Sequence, residues 1–370
     1  MAQRTTIRDV AALAHVSYQT VSRVINDSDL VSGASRQCVQ DAMATLNYAP
    51  SAAARSLKDG RTQLLGVLVH DNPNPFFGSV VRGIEDVAYD AGYCALVCSP
   101  HDASHEADYL YILRQHRVAG IAVVPMPTRP HPASDLAQNG MPIVSIDSRL
   151  PGMDSVLLDN VGAAMEAVDH LIRLGHRHIG FITGPLTATT AHERLVGYRR
   201  AMRRAGLPLD RSVQASCAWD SQAAAAIART MLSSAARPTA LIAATADLTL
   251  GIIAEAARMN LHIPDDLAVV GFDELSWNPA LLSPVTTVIQ PARHIGMAAA
   301  ELLIDRISGR YSGPPRRVRL SAHLAIRQSC GSDRAHGALP LHQLGFIAVN
   351  PATDSVTEPA YQPASYQPTS

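Results

Sequence analysis

Lysine is nearly missing from this chain of 370 residues. Lys58 is the single one, and every other basic side chain is arginine, which reads as a composition bias and not as a mechanism. Long apolar runs are missing too: no stretch free of charge is long enough to span a bilayer, so no membrane partner is expected. The N-terminus carries polar residues where a secretion signal would have its apolar core. Cysteine is scarce and scattered. Cys38, Cys94, Cys98, Cys217 and Cys330 are odd in number and form no zinc-type double pair. Cys94 and Cys98 fall on one strand at even spacing and are expected to be two buried strand cysteines. A reducing, cytoplasmic setting follows as an expectation. The signatures of common enzymes are absent as well: no G-x-S-x-G elbow, no phosphate-binding P-loop and no G-x-G-x-x-G. Finally, a net charge of −1 argues against general adhesion to nucleic acid. It leaves specific binding open, because phosphate contacts need only a local basic surface. Arg4, Arg8, Arg23, Arg36, Arg55 and Lys58 all fall within the first sixty residues.

What is present begins at Thr6. Thr6 and Asp9 form a capping-box-like helix start, and Val10, Leu13 and Ala14 recur at helical spacing. After a three-residue turn, Ser17 can cap a second helix. Val21, Val24 and Ile25 of that helix face inward, and Tyr18, Gln19, Ser22 and Arg23 face outward. Small Ala11 suits a close crossing. Two short helices joined in this way are a helix-turn-helix, whose second helix enters the DNA major groove. Ser32 can cap a third helix over Gly33 to Leu46, with Val39, Ala42, Met43 and Leu46 closing a small core. An ordinary helix pair inside some core is the bland alternative for this stretch.

The run Val-Ser-Tyr-Gln-Thr-Val-Ser-Arg-Val, residues 16–24, closely resembles the headpiece of the lactose-repressor (LacI) family of bacterial transcription regulators. His15 stands where that family usually has Gly, and His is among the residues that tolerate positive φ. The resemblance implies DNA contacts from Thr6, Ser17, Tyr18, Gln19, Thr20, Ser22, Arg23, Asn26, Ser32, Arg36 and Tyr48. It continues into residues 51–58, Ser-Ala-Ala-Ala-Arg-Ser-Leu-Lys, which resemble a hinge helix that orders only on operator DNA. There Ala54 and Leu57 would enter the minor groove, with a plain linker as the alternative. A helix this short does not stand alone in water.

From Leu64 strands and helices alternate. The expected strands are Leu64–Val69, Cys94–Cys98, Gly120–Val124, Pro142–Ile146, His178–Thr183, Ala240–Ala244 and Leu267–Phe272. The expected helices are Phe76–Ala91, His105–His116, Ala163–Leu174, His192–Ala205, Ser221–Ser233 and Gly251–Met259. This rhythm implies parallel sheets covered on both faces, in two similar lobes. Ligands of such sheets sit at the carboxyl ends of strands. Asn74-Pro75-Phe76-Phe77, Glu193-Arg194-Leu195, Val270-Gly271-Phe272-Asp273 and Gln290-Pro291 resemble the periplasmic-binding-protein-like effector domain of the same family. The family crosses between lobes three times, here near Asp159, Gln290 and Leu320.

The resulting expectation is an all-α helix-turn-helix headpiece on an α/β core of two doubly wound lobes. The parts are residues 1–48 for the headpiece, 49–62 for hinge and linker, 63–330 for the two-lobed effector and dimerisation domain, and 331–370 for a tail. That tail, rich in Pro and Ser, cannot order itself and lacks a leucine heptad, so a homodimer is expected on pseudo-palindromic double-stranded operator DNA. By resemblance Asn74, Phe76, Phe77, Asp147, Arg194, Trp219, Asp273 and Gln290 line an effector cleft whose chemistry suits a sugar. One of Phe76 and Phe77 is expected in the cleft and the other in the core. Asp247 sits one residue late relative to an Asn-Asp pair common in relatives, so that loop is either remodelled or without a ligand contact. No cofactor or metal is expected. His101 and His105, or His176 and His178, read as surface or hydrogen-bonded histidines, with no third ligand assigned beside them. The competing classes are a solute-binding protein without a DNA role and a regulator with a nucleoside effector or none.

Overall fold

A computed structural model describes residues 5–25, 30–48, 62–70, 74–274 and 278–332. Asn26, the hinge residues Ala54 and Leu57, and the tail from residue 333 lie outside the described residues.

The first described unit holds three helices, α1 (Ile7–Leu13), α2 (Tyr18–Ile25) and α3 (Gly33–Thr45). Each starts on a side chain. The Asp9 carboxylate accepts from the Thr6 N–H at 2.7 Å and from its hydroxyl at 2.8 Å. These bonds hold Asp9 below the usual carboxylate range. The Ser17 hydroxyl accepts from the Thr20 N–H at 3.1 Å, and the Ser32 hydroxyl from the Ser35 N–H at 3.3 Å. Such caps satisfy N–H groups that the helix itself cannot. Val10, Val21, Val24, Val39 and Ala42 are buried together, with Met43, Leu46 and Tyr48 packed against them. His15 makes the turn at φ 50°, the left-handed conformation that Gly would adopt freely.

The body contains two six-stranded sheets. In the first the order is β11-β5-β4-β3-β1-β2, built from β1 (Leu64–Leu68), β2 (Cys94–Cys98), β3 (Gly120–Val123), β4 (Ile143–Ile146), β5 (Asp154–Leu158) and β11 (Arg317–Leu320). All its pairings are parallel. The second runs β12-β10-β9-β8-β6-β7, built from β6 (Ile179–Thr183), β7 (Gln214–Ser216), β8 (Ala240–Ala243), β9 (Ala268–Phe272), β10 (Thr286–Ile289) and β12 (His323–Ala325). Only β12 pairs antiparallel there, on β10. β3, β4, β6, β8 and β9 are buried at every residue, as strands covered by helices on both faces must be.

The helices of the first lobe are α4 (Pro75–Asp90), α5 (Ala103–Gln115), the short α6 (Ala133–Gln138) and α11 (Ala292–Ile307). Those of the second are α7 (Asn160–Arg173), α8 (Thr189–Arg204), α9 (Ser221–Leu232) and α10 (Ala246–Arg258). The chain passes from one lobe to the other between β5 and α7 at Asp159, between β10 and α11 at Gln290, and between β11 and β12 at residues 321–322. At the second passage α11 returns to the first lobe and crosses α4. Gly83 and Gly296 make that approach possible: a Cβ on Gly296 would stand 2.0 Å from the Val80 carbonyl oxygen.

Three local expectations change. Cys94 is exposed and Cys98 only half-buried, because β2 is the open edge of its sheet. α10 starts five residues before Gly251, where the Thr245 hydroxyl accepts from the Leu248 N–H at 3.4 Å. β5, β7, β10, β11, β12 and α6 are short elements that the alternating pattern did not separate from loops, and the long helix α11 lies beyond the last element that pattern placed.

Candidate effector cleft and DNA interface

The two sheets match strand for strand in their order, so β4 of the first corresponds to β9 of the second. Each of these strands is followed directly by an aspartate. Asp147 and Asp273 have φ of 63° and 68°, and their N–H groups donate to Val156 and Val288, each on the neighbouring strand, at 3.0 Å. Non-glycine residues rarely hold this conformation. Here it turns both carboxylates out of the sheet at its carboxyl end, one from each lobe. The Asp273 carboxylate accepts from Asn74 Nδ2 at 2.8 Å and from Gln290 Nε2 at 2.5 Å. The first bond joins the lobes directly, since Asn74 caps α4 in the first lobe and accepts there from the Phe76 N–H at 2.9 Å.

Arg194 of α8 is buried. Its Nε donates to Asn160 Oδ1 at 2.8 Å, its Nη1 to the Ala244 carbonyl, and its guanidinium lies 4.4 Å over the Phe272 ring. Asn160 Nδ2 in turn donates to Glu193 at 3.0 Å. Burial lowers the Arg194 pKa, and the charges of Asp273, Asp147 and Glu193 counter that. Asp147 is pushed up to about 6, first by burial and then by Asp273 and Glu193, with Arg194 opposing. Its Oδ1 and the Oε1 of Gln290 are shielded from solvent and accept no hydrogen bond. The cleft therefore offers acceptors that lack donors, a costly state that a bound donor relieves.

Trp219 is half-buried, and its ring lies on Gly184 just past β6, where a Cβ would meet it at 2.3 Å. Phe76 is the core member of its pair; Phe77 is half-buried, 5.2 Å from the Phe76 ring and 5.4 Å from His70. Asp247, in the first turn of α10, is close enough to Asp273 and Asp220 that their charges, after burial, raise its pKa. The stretch from Ala244 to Asp247 thus forms a helix start, with the Asp247 carboxylate near that of Asp273. Asn160, Glu193 and His70 carry no mark of a site residue in the sequence beyond the adjacency of Glu193 to Arg194; Asp247 is marked there only as a displaced carboxylate.

On the headpiece, Tyr18, Gln19 and Arg23 are exposed along one side of α2, beside half-buried Thr20 and Ser22. The Ser17 and Thr20 hydroxyls share a hydrogen bond of 2.9 Å. Thr6 and Ser32 are exposed at the starts of α1 and α3, while Arg36 and Tyr48 are half-buried. The second helix thus presents a polar, aromatic and cationic edge of the kind that reads base edges.

A helix-turn-helix unit followed by two doubly wound lobes around a polar cleft defines a DNA-binding transcriptional regulator with an effector-binding body. Residues 6–51 match the model of bacterial regulatory proteins of the lacI family, and residues 168–330 match that of the periplasmic binding protein-like domain. The chain is 34% identical over 337 residues to the HTH-type transcriptional repressor PurR of Photobacterium profundum, covering 88% of this chain and 98% of that protein. It is 36% identical over 309 residues to the ribose operon repressor of Escherichia coli, covering 82% and 93%. The solved lac repressor dimer, bound to operator and the anti-inducer ONPF, is similar at a TM-score of 0.80 and 26% identity, covering 89% of this chain and 99% of that one. The chain belongs to the LacI family of bacterial transcription regulators. Among its described residues no helix is long and apolar enough to cross a membrane.

Proposed function

We propose that the protein is a cytoplasmic, homodimeric repressor whose affinity for a pseudo-palindromic operator is switched by a small neutral sugar held between the lobes. One observation carries the choice of sugar: Asp147 Oδ1 and Gln290 Oε1 are buried acceptors without donors. Asp273 and Glu193 add their charges to that of Asp147, and Asp247 faces Asp273, against the guanidinium of Arg194. A sugar brings several hydroxyl donors and no negative charge, so it suits this set; a phosphorylated ligand would face repulsion. Trp219 supplies the apolar ring on which a sugar face can stack. A nucleobase or nucleoside is the second reading, since its amino and hydroxyl groups also bring donors to these acceptors without negative charge.

On the DNA side, Tyr18, Gln19 and Arg23 read base edges, and Thr6, Ser17, Thr20, Ser22, Asn26, Ser32, Arg36 and Tyr48 position the headpiece on the backbone. Ala54 and Leu57 belong to a hinge, residues 49–62, that orders with the operator, with Leu57 as the wedge between base steps. Effector binding alters the relation of the two lobes, and so the spacing of the two hinges in the dimer. Such coupling requires only a differential affinity of a few kcal/mol between the two arrangements.

The test is a thermal-shift panel on the full chain with aldopentoses, aldohexoses, disaccharides, purine bases and nucleosides. A ligand at a hundredfold its Kd adds about 2.7 kcal/mol to the native state. We expect a neutral sugar to raise Tm. A rise with purine bases or nucleosides alone would establish the second reading, and no rise with any compound would remove the effector from the account.

A further inference from the structure

We infer that His101, Asp102 and His105 form a binding site for an exchangeable divalent transition-metal ion of the zinc, nickel and copper class. The three residues lie in the loop after β2 and the first turn of α5. That is the carboxyl end of the first sheet, the same end at which Asp147 stands. One donor atom from each residue lies within 4.8 Å of the other two. Asp102 supplies the third ligand that the histidine spacing alone did not suggest.

The carboxylate is held in place before any ion arrives. Asp102 caps α5, and its Oδ1 accepts from the N–H groups of Ser104 and His105, both at 2.9 Å, and from the Ser104 hydroxyl at 2.7 Å. These bonds keep it ionised, well below the usual carboxylate range. The same Oδ1 stands 2.9 Å from His105 Nδ1, while Oδ2 stands 3.7 Å from His101 Nε2. The second separation is too long for a hydrogen bond. In a tetrahedral site with metal–ligand bonds of about 2.0–2.2 Å, neighbouring donor atoms lie about 3.4 Å apart. The two observed separations involve different oxygens of the carboxylate, so one oxygen must serve both imidazoles; the three donor atoms, all within 4.8 Å of one another, leave that to side-chain rotation.

Capping accounts for Asp102 and for its contact with His105. It does not account for His101, which precedes the cap, yet its ring lies 3.9 Å from that of His105, centroid to centroid. Two imidazoles converging on one carboxylate make an N2O donor set. That set suits borderline transition metals and is poor for magnesium or calcium, which take oxygen. All three side chains are about half exposed, which leaves the remaining positions to water and makes the ion exchangeable. His105 ligates through Nδ1 as its proton moves to Nε2, so that tautomer is selected on binding.

Isothermal titration of the tag-free full chain with Ni2+ and with Zn2+ tests the site, and Cu2+ paramagnetic resonance reports nitrogen ligation. The wild type should bind one Ni2+ per chain saturably. The double variant His101→Ala, His105→Ala should lose that binding and keep the wild-type melting temperature. His262→Ala, which removes another exposed histidine beside a carboxylate, should keep it. No saturable binding by the wild type, or equal binding by the double variant, would overturn the proposal.

Discussion

Acidification from about pH 8 to about pH 5 should weaken sugar binding roughly tenfold, and Asp147→Asn should abolish that dependence. Burial pushes Asp147 up to about 6. If a sugar hydroxyl donates to the ionised carboxylate, only that form binds well. About a tenth of the chains carry it one pH unit below the pKa, and nearly all do two units above. Folding responds with the opposite sign. The folded pKa lies above the ordinary 3.8, so the group's favourable contribution is complete below that value and is lost as pH rises through about 6. At neutral pH the ionised, buried Asp147 therefore costs the ligand-free body up to about 2–3 kcal/mol, a ceiling that neighbouring water reduces. Asp147→Asn should raise the melting temperature of the ligand-free protein at neutral pH and narrow that gain toward pH 4, while lowering sugar affinity throughout. Calorimetric titrations of both chains between about pH 5 and pH 8 give the affinities, and melting curves over the same range give the stabilities. A wild-type affinity flat across that range, or a pH slope retained by the asparagine variant, would refute the assignment of Asp147 as the titrating acceptor.

Gln19→Ala should relax specificity at particular operator positions by about 1–3 kcal/mol each, measured on a panel of single-base operator variants; equal weakening on all of them would make Gln19 a backbone contact. Asn74→Ala removes both the cap of α4 and the bond between lobes to Asp273, worth together about 2–4 kcal/mol. Asn74→Ser keeps a cap but not the bond between lobes, so in melting experiments it should fall between wild type and Asn74→Ala. Gly296→Ala forces a Cβ against the Val80 carbonyl oxygen, and the α4–α11 crossing should lose at least the roughly 1–3 kcal/mol of an overpacked core, seen as a drop of several degrees in Tm.

The headpiece was legible because its determinants are local. Thr6 with Asp9, Ser17 and Ser32 are caps that act within three residues, and the apolar spacing of Val10, Val21, Val24 and Val39 reports one small core. The left-handed turn at His15 could be read from the residue type that normally fills it. Seven of the described strands in the body were legible from their apolar runs, but β5, β7, β10, β11 and β12 were not, and neither was strand order. β2 reads like its neighbours, and only the pairing of β1 with both β2 and β3 places it at an edge and exposes Cys94. The pattern from Gly251 onward does not show where α10 starts, because the hydroxyl of Thr245 sets it through the Leu248 N–H. In the cleft, Asp147, Arg194 and Asp273 were named through family resemblance. Asn74 and Gln290 were named in the same way, but which of these groups pair was beyond reach of any local rule, since 199 positions separate Asn74 from Asp273, and 34 separate Arg194 from Asn160.

The function proposed for this chain couples a headpiece reading DNA to a cleft reading a sugar. Its most direct test is fluorescence anisotropy of the full chain on a labelled duplex selected from random sequence, with and without the sugar identified by thermal shift. The account predicts tight, sequence-specific binding that the sugar changes at least several-fold, with Arg194→Met still binding the duplex but no longer responding. Specific binding that no cleft ligand alters, or a response that survives in Arg194→Met, would contradict it.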